Sequence, residues 1–328
     1  MDILACIFDH QGRLSESEAL YKQCYDMKKI VFGDSHPSTL LTLSNYANAI
    51  DSQGRDRETE VLYNQCLDKL KAVFGDRHPI TLTTMSNLAV LYNRLGRHSE
   101  AEILLKQCLD RMKAVLGDRH PFTLIVTKRL ALVYSNQDRH SEAEVLYKQS
   151  LDTQQLVLGE NHPAALASLN DLALAYSNQG RHSEAEILHR QCLDKQKVVL
   201  GENNPDTICT LKRLAESHTT LENYREAEVL HEECLAKQKV LLGESHPETI
   251  ATMNNLANIY NFQDKLKEAE DLYKQCLVKL KVVFGESHPR TLGTMRNLAC
   301  TYDQQGRQSE AEVLLKQCED MQNCTSHN

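Results

Sequence analysis

Tryptophan is absent from this chain of 328 residues, and aromatic residues of all kinds make up only 5% of it. Hydrophobic residues still account for 41%, which is enough for a core of aliphatic and small side chains. No apolar run approaches the roughly 18 residues that a membrane-spanning helix needs, so no membrane insertion is expected. The formal charge of -8 argues against nonspecific nucleic-acid binding, because that affinity comes largely from Lys and Arg on phosphates.

Proline and glycine are few, and nearly all of them recur with a period of 42 residues. The prolines share one phase: Pro37, Pro79, Pro121, Pro163, Pro205, Pro247 and Pro289. The glycines fall in two further phases, one with Gly33, Gly75, Gly117, Gly159, Gly201, Gly243 and Gly285, the other with Gly12, Gly54, Gly96, Gly180 and Gly306. Only Gly293 stands outside. Such spacing indicates one supersecondary unit repeated along the chain, as in a solenoid.

Each repeat reads as two helices. In one unit, helix A is predicted from Pro79 to Arg94, where the proline opens the helix, and Gly96 ends it in a left-handed conformation. Helix B is predicted to begin at Ser99 with a capping box, in which Glu102 reaches back to the backbone. Gly117 then stops helix B. An alanine recurs in each helix, which predicts close contact between the two helices of a pair.

Cysteines are numerous, yet seven of the eleven share one phase: Cys24, Cys66, Cys108, Cys192, Cys234, Cys276 and Cys318. Stacked helices are about 8–10 Å apart, whereas a disulfide needs Cα atoms within about 7 Å. These cysteines are therefore predicted to be reduced and to act as small apolar core residues, which favours a reducing compartment. Ser150 fills the eighth slot.

The repeat resembles the tetratricopeptide repeat in the spacing of Leu88, Ala89, Tyr92, Ala101 and Leu105. The longer 42-residue version closely resembles the repeats of kinesin light chains, in segments that begin at Leu242, Asn254 and Glu268 and end at 247, 260 and 273. Related arrays, such as nephrocystin-3-like proteins, share this pattern.

The resemblance implies an all-α tetratricopeptide-repeat solenoid, a right-handed superhelix of antiparallel helix pairs with a 42-residue period. We expect residues 1–328 to form a single array. Its units are about 1–33 (partial), 34–75, 76–117, 118–159, 160–201, 202–243, 244–285 and 286–328. The incomplete first unit favours a fragment or a reduced relative. Motor binding is not carried over, because in kinesin light chains it depends on a heptad coiled coil, which these 328 residues lack.

The resemblance also implies a function: a non-catalytic adaptor that binds short acidic peptide motifs of partner or cargo proteins in a concave groove lined by the A helices. It implies a cytoplasmic, cytoskeleton-associated protein, with a kinesin heavy chain as a further partner of the full-length relatives. The alternative is a ligand-sensing or oligomerising repeat tail of a larger signalling protein, or a structural spacer.

The candidate groove residues lie on the face of helix A that varies between repeats, and they are amide-rich and locally basic. They are Asn45, Asn48, Asn87, Lys128, Arg129, Asn170, Lys212, Arg213, Asn254, Asn255, Asn258, Arg296 and Asn297. Asparagine can both donate to and accept from a peptide backbone, and the cations suit acidic ligands. The competing interpretation is ordinary solvated helix charge, offset by Asp51, Asp171, Glu216 and Asp303 on the same face.

No catalytic residues, cofactor or metal are predicted. The His-Pro histidines lie one repeat apart, too far for a shared ion, and are interpreted as capping side chains at the turns between repeats. The glycines end helices and form no phosphate-binding loop. The least regular unit is 202–243, where His218 replaces a recurring tyrosine. Its irregularity predicts either a soft point or a change in groove shape.

Overall fold

The computed structural model describes residues 1–11 and 13–325, and Gly12 lies outside this range. All regular structure in the described residues is helical, in sixteen helices. The first helices of the pairs, called A helices, are α1 (Asp2–His10), α3 (Pro37–Ser52), α5 (Pro79–Arg94), α7 (Pro121–Asn136), α9 (Pro163–Asn178), α11 (Pro205–Thr220), α13 (Pro247–Phe262) and α15 (Pro289–Gln304). The second, called B helices, are α2 (Leu14–Phe32), α4 (Asp56–Phe74), α6 (His98–Leu116), α8 (His140–Leu158), α10 (His182–Val199), α12 (Tyr224–Leu241), α14 (Leu266–Phe284) and α16 (Gln308–Thr325).

The helices form two compact units, residues 1–157 and residues 158–328. In the first unit each helix from α2 to α6 packs on the helices before and after it, and α3 and α7 both contact α5. In the second unit α10 to α15 pack in the same sequential way, and A helices again meet in the pairs α9–α11 and α13–α15. Both units thus show the helix-pair packing of a tetratricopeptide solenoid. A single array with the boundaries given above stays a prediction.

Proline and the residue before it set the start of the A helices. His78 is the N-cap of α5, Pro79 is its first residue, and His78 Nδ1 accepts a hydrogen bond of 3.3 Å from the Ile80 N–H. The prediction of capping histidines is therefore confirmed. Asn204 has the same role in α11, where its Oδ1 accepts from the Asp206 N–H at 2.9 Å.

The predicted capping box of the B helices is wrong. Helix α6 begins at His98, its N-cap is Arg97, and no side chain caps it. The Arg97 guanidinium bonds Glu100 in the first turn at 2.6–2.7 Å and also Glu60 of the preceding repeat at 2.6 Å. The first turn is therefore held by charge-assisted bonds from Arg97 to Glu100, and Ser99 does not act as the N-cap.

The glutamate predicted to reach back links neighbouring repeats instead. Glu102 accepts from Lys106 at 2.6 Å and from Arg139 of the following repeat at 2.7 Å. Burial opposes the charge of Glu102, but these donors lower its pKa to about 2. In the second unit Arg307 bonds Glu270 in the same way at 2.8 Å. Some of the acidic side chains of the B helices thus form ion pairs between neighbouring repeats.

Small residues and thiols form the buried seam between helices. The recurring alanines are at most 5% exposed in both helices of the pair, as predicted. The seven cysteines of the shared phase are buried and unbridged, which confirms that prediction. Cys108 Sγ, for example, donates to the Leu82 carbonyl oxygen at 3.3 Å, and burial raises the pKa of its thiol to about 12. A thiol of this kind is a core residue and a poor nucleophile.

No helix in the described residues combines the length and the apolar character that crossing a bilayer requires.

Candidate functional site

The variable face of the A helices carries a hydrogen-bonded chain of polar side chains in the first unit. Tyr63 donates its hydroxyl to Asn48 Oδ1 at 2.7 Å, and Asn87 Nδ2 donates to the same oxygen at 3.1 Å. Arg129 then donates to Asn87 Oδ1 at 3.0 Å and to the Ser86 hydroxyl at 2.7 Å. The predicted residues Asn48, Asn87 and Arg129, from three successive A helices, are therefore brought together.

Arg129 is a charged residue with no carboxylate partner among the described residues. It is half-buried, and burial lowers the pKa of its guanidinium. Within the described residues it makes no ion pair, and its two side-chain partners are neutral acceptors. A guanidinium keeps its charge even when desolvated, so this position attracts an anion.

The other charged side chains of this unit differ from Arg129. Arg94 is neutralised by Asp51 at 2.5 Å and by Asp56 at 2.6 Å. Lys128 is half-buried on α7, and the uncharged Asn45, also predicted, is half-buried on α3 outside this hydrogen-bonded chain. Arg129 thus differs from Arg94 in having only neutral side-chain partners.

In the second unit, Lys212, Arg213 and Glu216 of α11 line a pocket of about 490 Å³, with Glu248 of α13 on its rim. Lys212 Nζ bonds Glu248 at 2.6 Å; burial opposes the lysine charge, but this bond raises its pKa. Burial also disfavours the charge of Glu216 and so raises its pKa, although the neighbouring Lys212 and Arg213 act in the opposite direction. Arg213 keeps one buried guanidinium nitrogen with no hydrogen-bond partner.

Two buried side chains of α12 add unused polar atoms to this region. Gln238 lines the pocket, is only 3% exposed, and its Oε1 has no hydrogen-bond partner. His231 is fully buried, and both of its ring nitrogens lack a partner. Burial lowers the pKa of His231 to about 4, with a smaller contribution from Lys212, so the ring is neutral near pH 7.

The asparagines of α13 and α15 form a second polar cluster in this unit. Tyr273 and Asn297 both donate to Asn258 Oδ1, the latter at 3.0 Å, which repeats the Tyr63–Asn48–Asn87 arrangement. Thr294 donates its hydroxyl to Asn254 Oδ1 at 3.1 Å. Asn254, Asn255 and Asn297 line a pocket of about 310 Å³.

Two predicted residues lie apart from these clusters. Asn170 on α9 pairs with the ring of His189 at 2.9 Å, and burial lowers the pKa of that histidine to about 4. Arg296 is exposed on α15 and lines none of the pockets described above.

Sequence reasoning missed the B-helix side chains that organise the face. Tyr63, Tyr273, His189 and His231 all share one repeat phase, and that phase was the available signal. Tyr63, Tyr273 and His189 hydrogen-bond to the A-helix residues Asn48, Asn258 and Asn170, whereas the ring nitrogens of His231 have no partner. Gln238 had the same kind of signal, because Gln154 and Gln196 occupy its repeat phase and are likewise buried with an unpartnered Oε1.

Among the residues that the structure describes, no group of three or more His, Cys, Asp or Glu is placed to hold a metal ion.

The repeated helix pairs define the class of protein, and comparison with known families gives the same result. The tetratricopeptide repeat family matches residues 42–114, 81–155, 122–197 and 206–277, and a second model of the same repeat matches 1–38 and 291–318. The chain therefore belongs to the tetratricopeptide repeat family. Proteins of this family bind protein partners, and the fold is generally a non-catalytic scaffold.

Similar solved structures include kinesin light chain-like repeats, which confirms the predicted resemblance. The kinesin light chain-like protein of Podosopora anserina, with nearly identical TPR-like repeats, is 30% identical, with a TM-score of 0.59 over 64% of this chain and 99% of its own. BtubC (BKLC) from P. vanneervenii is 20% identical, with a TM-score of 0.60 over 71% and 94%. The quorum sensor NprR from B. thuringiensis, in its apo form, is 16% identical, with a TM-score of 0.56 over 95% and 98%. A search of curated proteins gave no match.

Proposed function

We propose that this protein is an adaptor whose A-helix face binds short acidic peptide segments of partner proteins. The observation that carries the proposal is Arg213, which lines a pocket of about 490 Å³ and keeps one guanidinium nitrogen without a hydrogen-bond partner among the described residues. An unpaired buried donor on a charged group is costly, and a carboxylate oxygen of a ligand would satisfy it.

Local charge around this pocket supports an anionic ligand. Glu248 forms an ion pair with Lys212. The pKa of Glu216 is raised, so this carboxylate is protonated more readily than an ordinary glutamate. The positive charge of Arg213 is therefore the one least compensated there. In the first unit Arg129 is a second cation without a carboxylate partner among the described residues, because its side-chain partners, Ser86 and Asn87, are neutral. Arg129 and Arg213 both belong to the groove residues that the sequence predicts, which is why the proposal places the ligand on this face.

We extend the proposal to the kinesin light chain type of cargo adaptor, acting in the cytoplasm near the cytoskeleton. The 30% identity to the Podosopora anserina protein supports this extension. Binding to a kinesin heavy chain is not included.

The test compares labelled acidic peptides with their Gln/Asn counterparts by fluorescence polarisation, on the unmodified chain and on Arg213→Gln. We expect the acidic peptides to bind more tightly, to weaken with added salt, and to lose about tenfold in affinity in the variant. Lys267→Gln is the matched control, because it removes one exposed cation from α14, a B helix that contributes no residue to this pocket. Equal binding of acidic and amide peptides, or equal losses in the two variants, would reject the proposal.

A further inference from the structure

Cys209 is a cysteine of α11 that does not belong to the buried seam of thiols. The other units carry no thiol in its repeat phase, which holds Leu41, Thr83, Ile125, Ala167, Ala251 and Gly293. Among the described cysteines, the exposed ones are Cys6, Cys209 and Cys300. Burial disfavours the thiolate of a seam cysteine, as the raised pKa of Cys108 shows. A reagent in solution therefore reaches Cys209 far more easily than it reaches the seam.

Cys209 lines the pocket of about 490 Å³ together with Lys212 and Arg213. These two cations follow it by three and four residues in α11, a spacing that makes side chains neighbours on one face of a helix. Cys6 and Cys300 line neither this pocket nor the one of about 310 Å³. The volume lies within the range of about 300–1,000 Å³ that is typical of small-molecule sites. An exposed thiol thus lies at a cavity large enough for a small molecule.

The same pocket carries polar groups that the fold leaves unused. Gln238 of α12 lines it, is only 3% exposed, and its Oε1 has no hydrogen-bond partner among the described residues. Arg213 keeps one guanidinium nitrogen without a partner, and Glu216 adds a carboxylate. Buried polar groups without partners are costly, so a ligand that pairs with them is favoured. The pocket therefore offers a cationic donor and two acceptors beside a thiol.

This set of groups matches a zwitterionic peptide thiol. A carboxylate of such a ligand can pair with the guanidinium of Arg213. Its amide N–H and ammonium groups can donate to Gln238 and Glu216. Lys212, which bonds Glu248 at 2.6 Å, adds positive charge to the same wall. Glutathione combines carboxylates, amides and an ammonium group with a sulfur, and its net charge is negative.

We propose that Cys209 is a modification site that forms a mixed disulfide with an anionic peptide thiol of the glutathione type, supplied as its disulfide. The Cys209 thiol loses its proton to solvent, and the thiolate attacks one sulfur of the disulfide. A new S–S bond forms as the old one breaks, and the second sulfur leaves as a thiolate that takes up a proton. Cys209 is oxidised, and one half of the reagent is reduced to the free thiol.

This inference goes beyond the proposed function and does not depend on peptide binding, although both use the pocket of Arg213. The Arg213 guanidinium is a positioning group in this scheme. It attracts and holds the charged reagent, while the chemistry takes place at the sulfur of Cys209.

The test compares two disulfides that differ in charge, glutathione disulfide and the neutral bis(2-hydroxyethyl) disulfide. Each reacts with the folded, unmodified chain, and peptide mass spectrometry gives the rate at each cysteine. The ratio of the two rates at one cysteine corrects for the exposure of that thiol, so it reports recognition of the charged peptide. We expect this ratio to be about tenfold higher at Cys209 than at Cys6 and Cys300, and to fall with added salt.

Variants assign the preference to the pocket. Arg213→Gln should lower the ratio at Cys209 about tenfold and leave its rate with the neutral disulfide unchanged, because access to the thiol is kept. Lys267→Gln, which removes an exposed cation of α14 outside this pocket, should change neither rate. Cys209→Ala introduces the residue that Ala251 supplies in the same phase, so it suits the fold, and it should abolish the fast uptake of glutathione.

Equal ratios at Cys209, Cys6 and Cys300 would overturn the proposal. So would an Arg213→Gln variant that keeps the high ratio, or one in which both rates at Cys209 fall by the same factor. These results leave the acidic-peptide function standing, because the peptide titrations do not involve the thiol. A selective reaction at Cys209 in a chain that binds no acidic peptide supports the modification site and rejects only the peptide function.

Discussion

At the scale of single residues, the polar atoms left without partners in the buried face give the clearest consequences. His231 is fully buried with two unpartnered ring nitrogens, and burial lowers its pKa to about 4. An unfolded chain takes up the proton near pH 6.5, so the unfolded state binds more protons between that pH and about 4. The stability linked to this residue is complete above pH 6.5 and is lost as the pH falls toward 4.

Replacing His231 by tyrosine should reduce this acid sensitivity. Tyrosine occupies the same repeat phase at Tyr63 and Tyr273, so the substitution suits the fold. The free energy of unfolding of His231→Tyr should fall by about 2 kcal/mol less than that of the unmodified chain between pH 7 and pH 5. Denaturant titrations at both pH values measure the difference. Parallel losses in the two proteins would show that His231 is not the group responsible.

Ser150 offers a second residue-scale test. It fills the cysteine phase on α8, it is fully buried, and its hydroxyl has no hydrogen-bond partner. Ser150→Cys should raise the free energy of unfolding by about 1 kcal/mol, because a thiol is much less costly to bury than an unpaired hydroxyl. Cys108→Ser is the opposite exchange in the same phase and should destabilise. Denaturant midpoints that move in the same direction for both variants would contradict this account.

At the scale of helices, two glycines with different backbones should respond oppositely to alanine. Gly293→Ala should stabilise α15 by about 1 kcal/mol, because the backbone is helical and the added Cβ meets open space. Gly117 ends α6 with a φ of +88°, so Gly117→Ala should destabilise by about 1 kcal/mol or more. Thermal and denaturant unfolding check both signs. Destabilisation by Gly293→Ala would mean that packing requires the glycine after all.

The histidine caps can be tested on one A helix. His78→Ala removes the acceptor for the Ile80 N–H and should cost about 1 kcal/mol of unfolding free energy. His78→Asn should be nearly neutral, since Asn204 caps α11 with the same geometry. Equal destabilisation by both substitutions, measured by denaturant unfolding, would indicate that ring packing matters more than the cap. Phe74 stacks on His78 with centroids 4.3 Å apart, so that contact is the competing cause.

The starts of the A helices were predictable from sequence, and the starts of the B helices were not. Proline has a fixed φ and no N–H, so Pro79 alone places the first residue of α5. The start of α6 differs from the prediction because Arg97 is the N-cap and pairs with Glu100, so that Ser99 already lies inside the helix. Glu102 bonds Arg139 of the next repeat, a partner that appears only once repeats are stacked.

The candidate site was predictable in part for a similar physical reason. Repeat phase identified Asn87 and Arg129 as equivalent residues of stacked A helices, and the helical period placed Asn48, three residues after the equivalent Asn45, on the same face. It did not distinguish Arg129, which lacks a carboxylate, from Arg94, which has two. That difference depends on carboxylates of the preceding repeat, Asp51 and Asp56, whose side-chain positions no sequence period describes.

At the scale of the molecule, the proposed function requires acceptor positions for an acidic peptide, and each of the two compact units of this repeat protein offers one. Arg129 provides the position in the first unit, and Arg213 with its pocket provides it in the second. Because the overall charge is -8, attraction of acidic ligands must come from these local positions rather than from the chain as a whole.

The most direct test of the central claim is to map where an acidic peptide touches the protein. A photoreactive Glu-Asp peptide would be crosslinked to the unmodified chain, with its Gln-Asn counterpart as the control, and the attachment sites identified by mass spectrometry. The account predicts crosslinks on α11 and α13 around Arg213, with far weaker labelling by the amide peptide. Crosslinks confined to the B helices, or equal labelling by the two peptides, would contradict it.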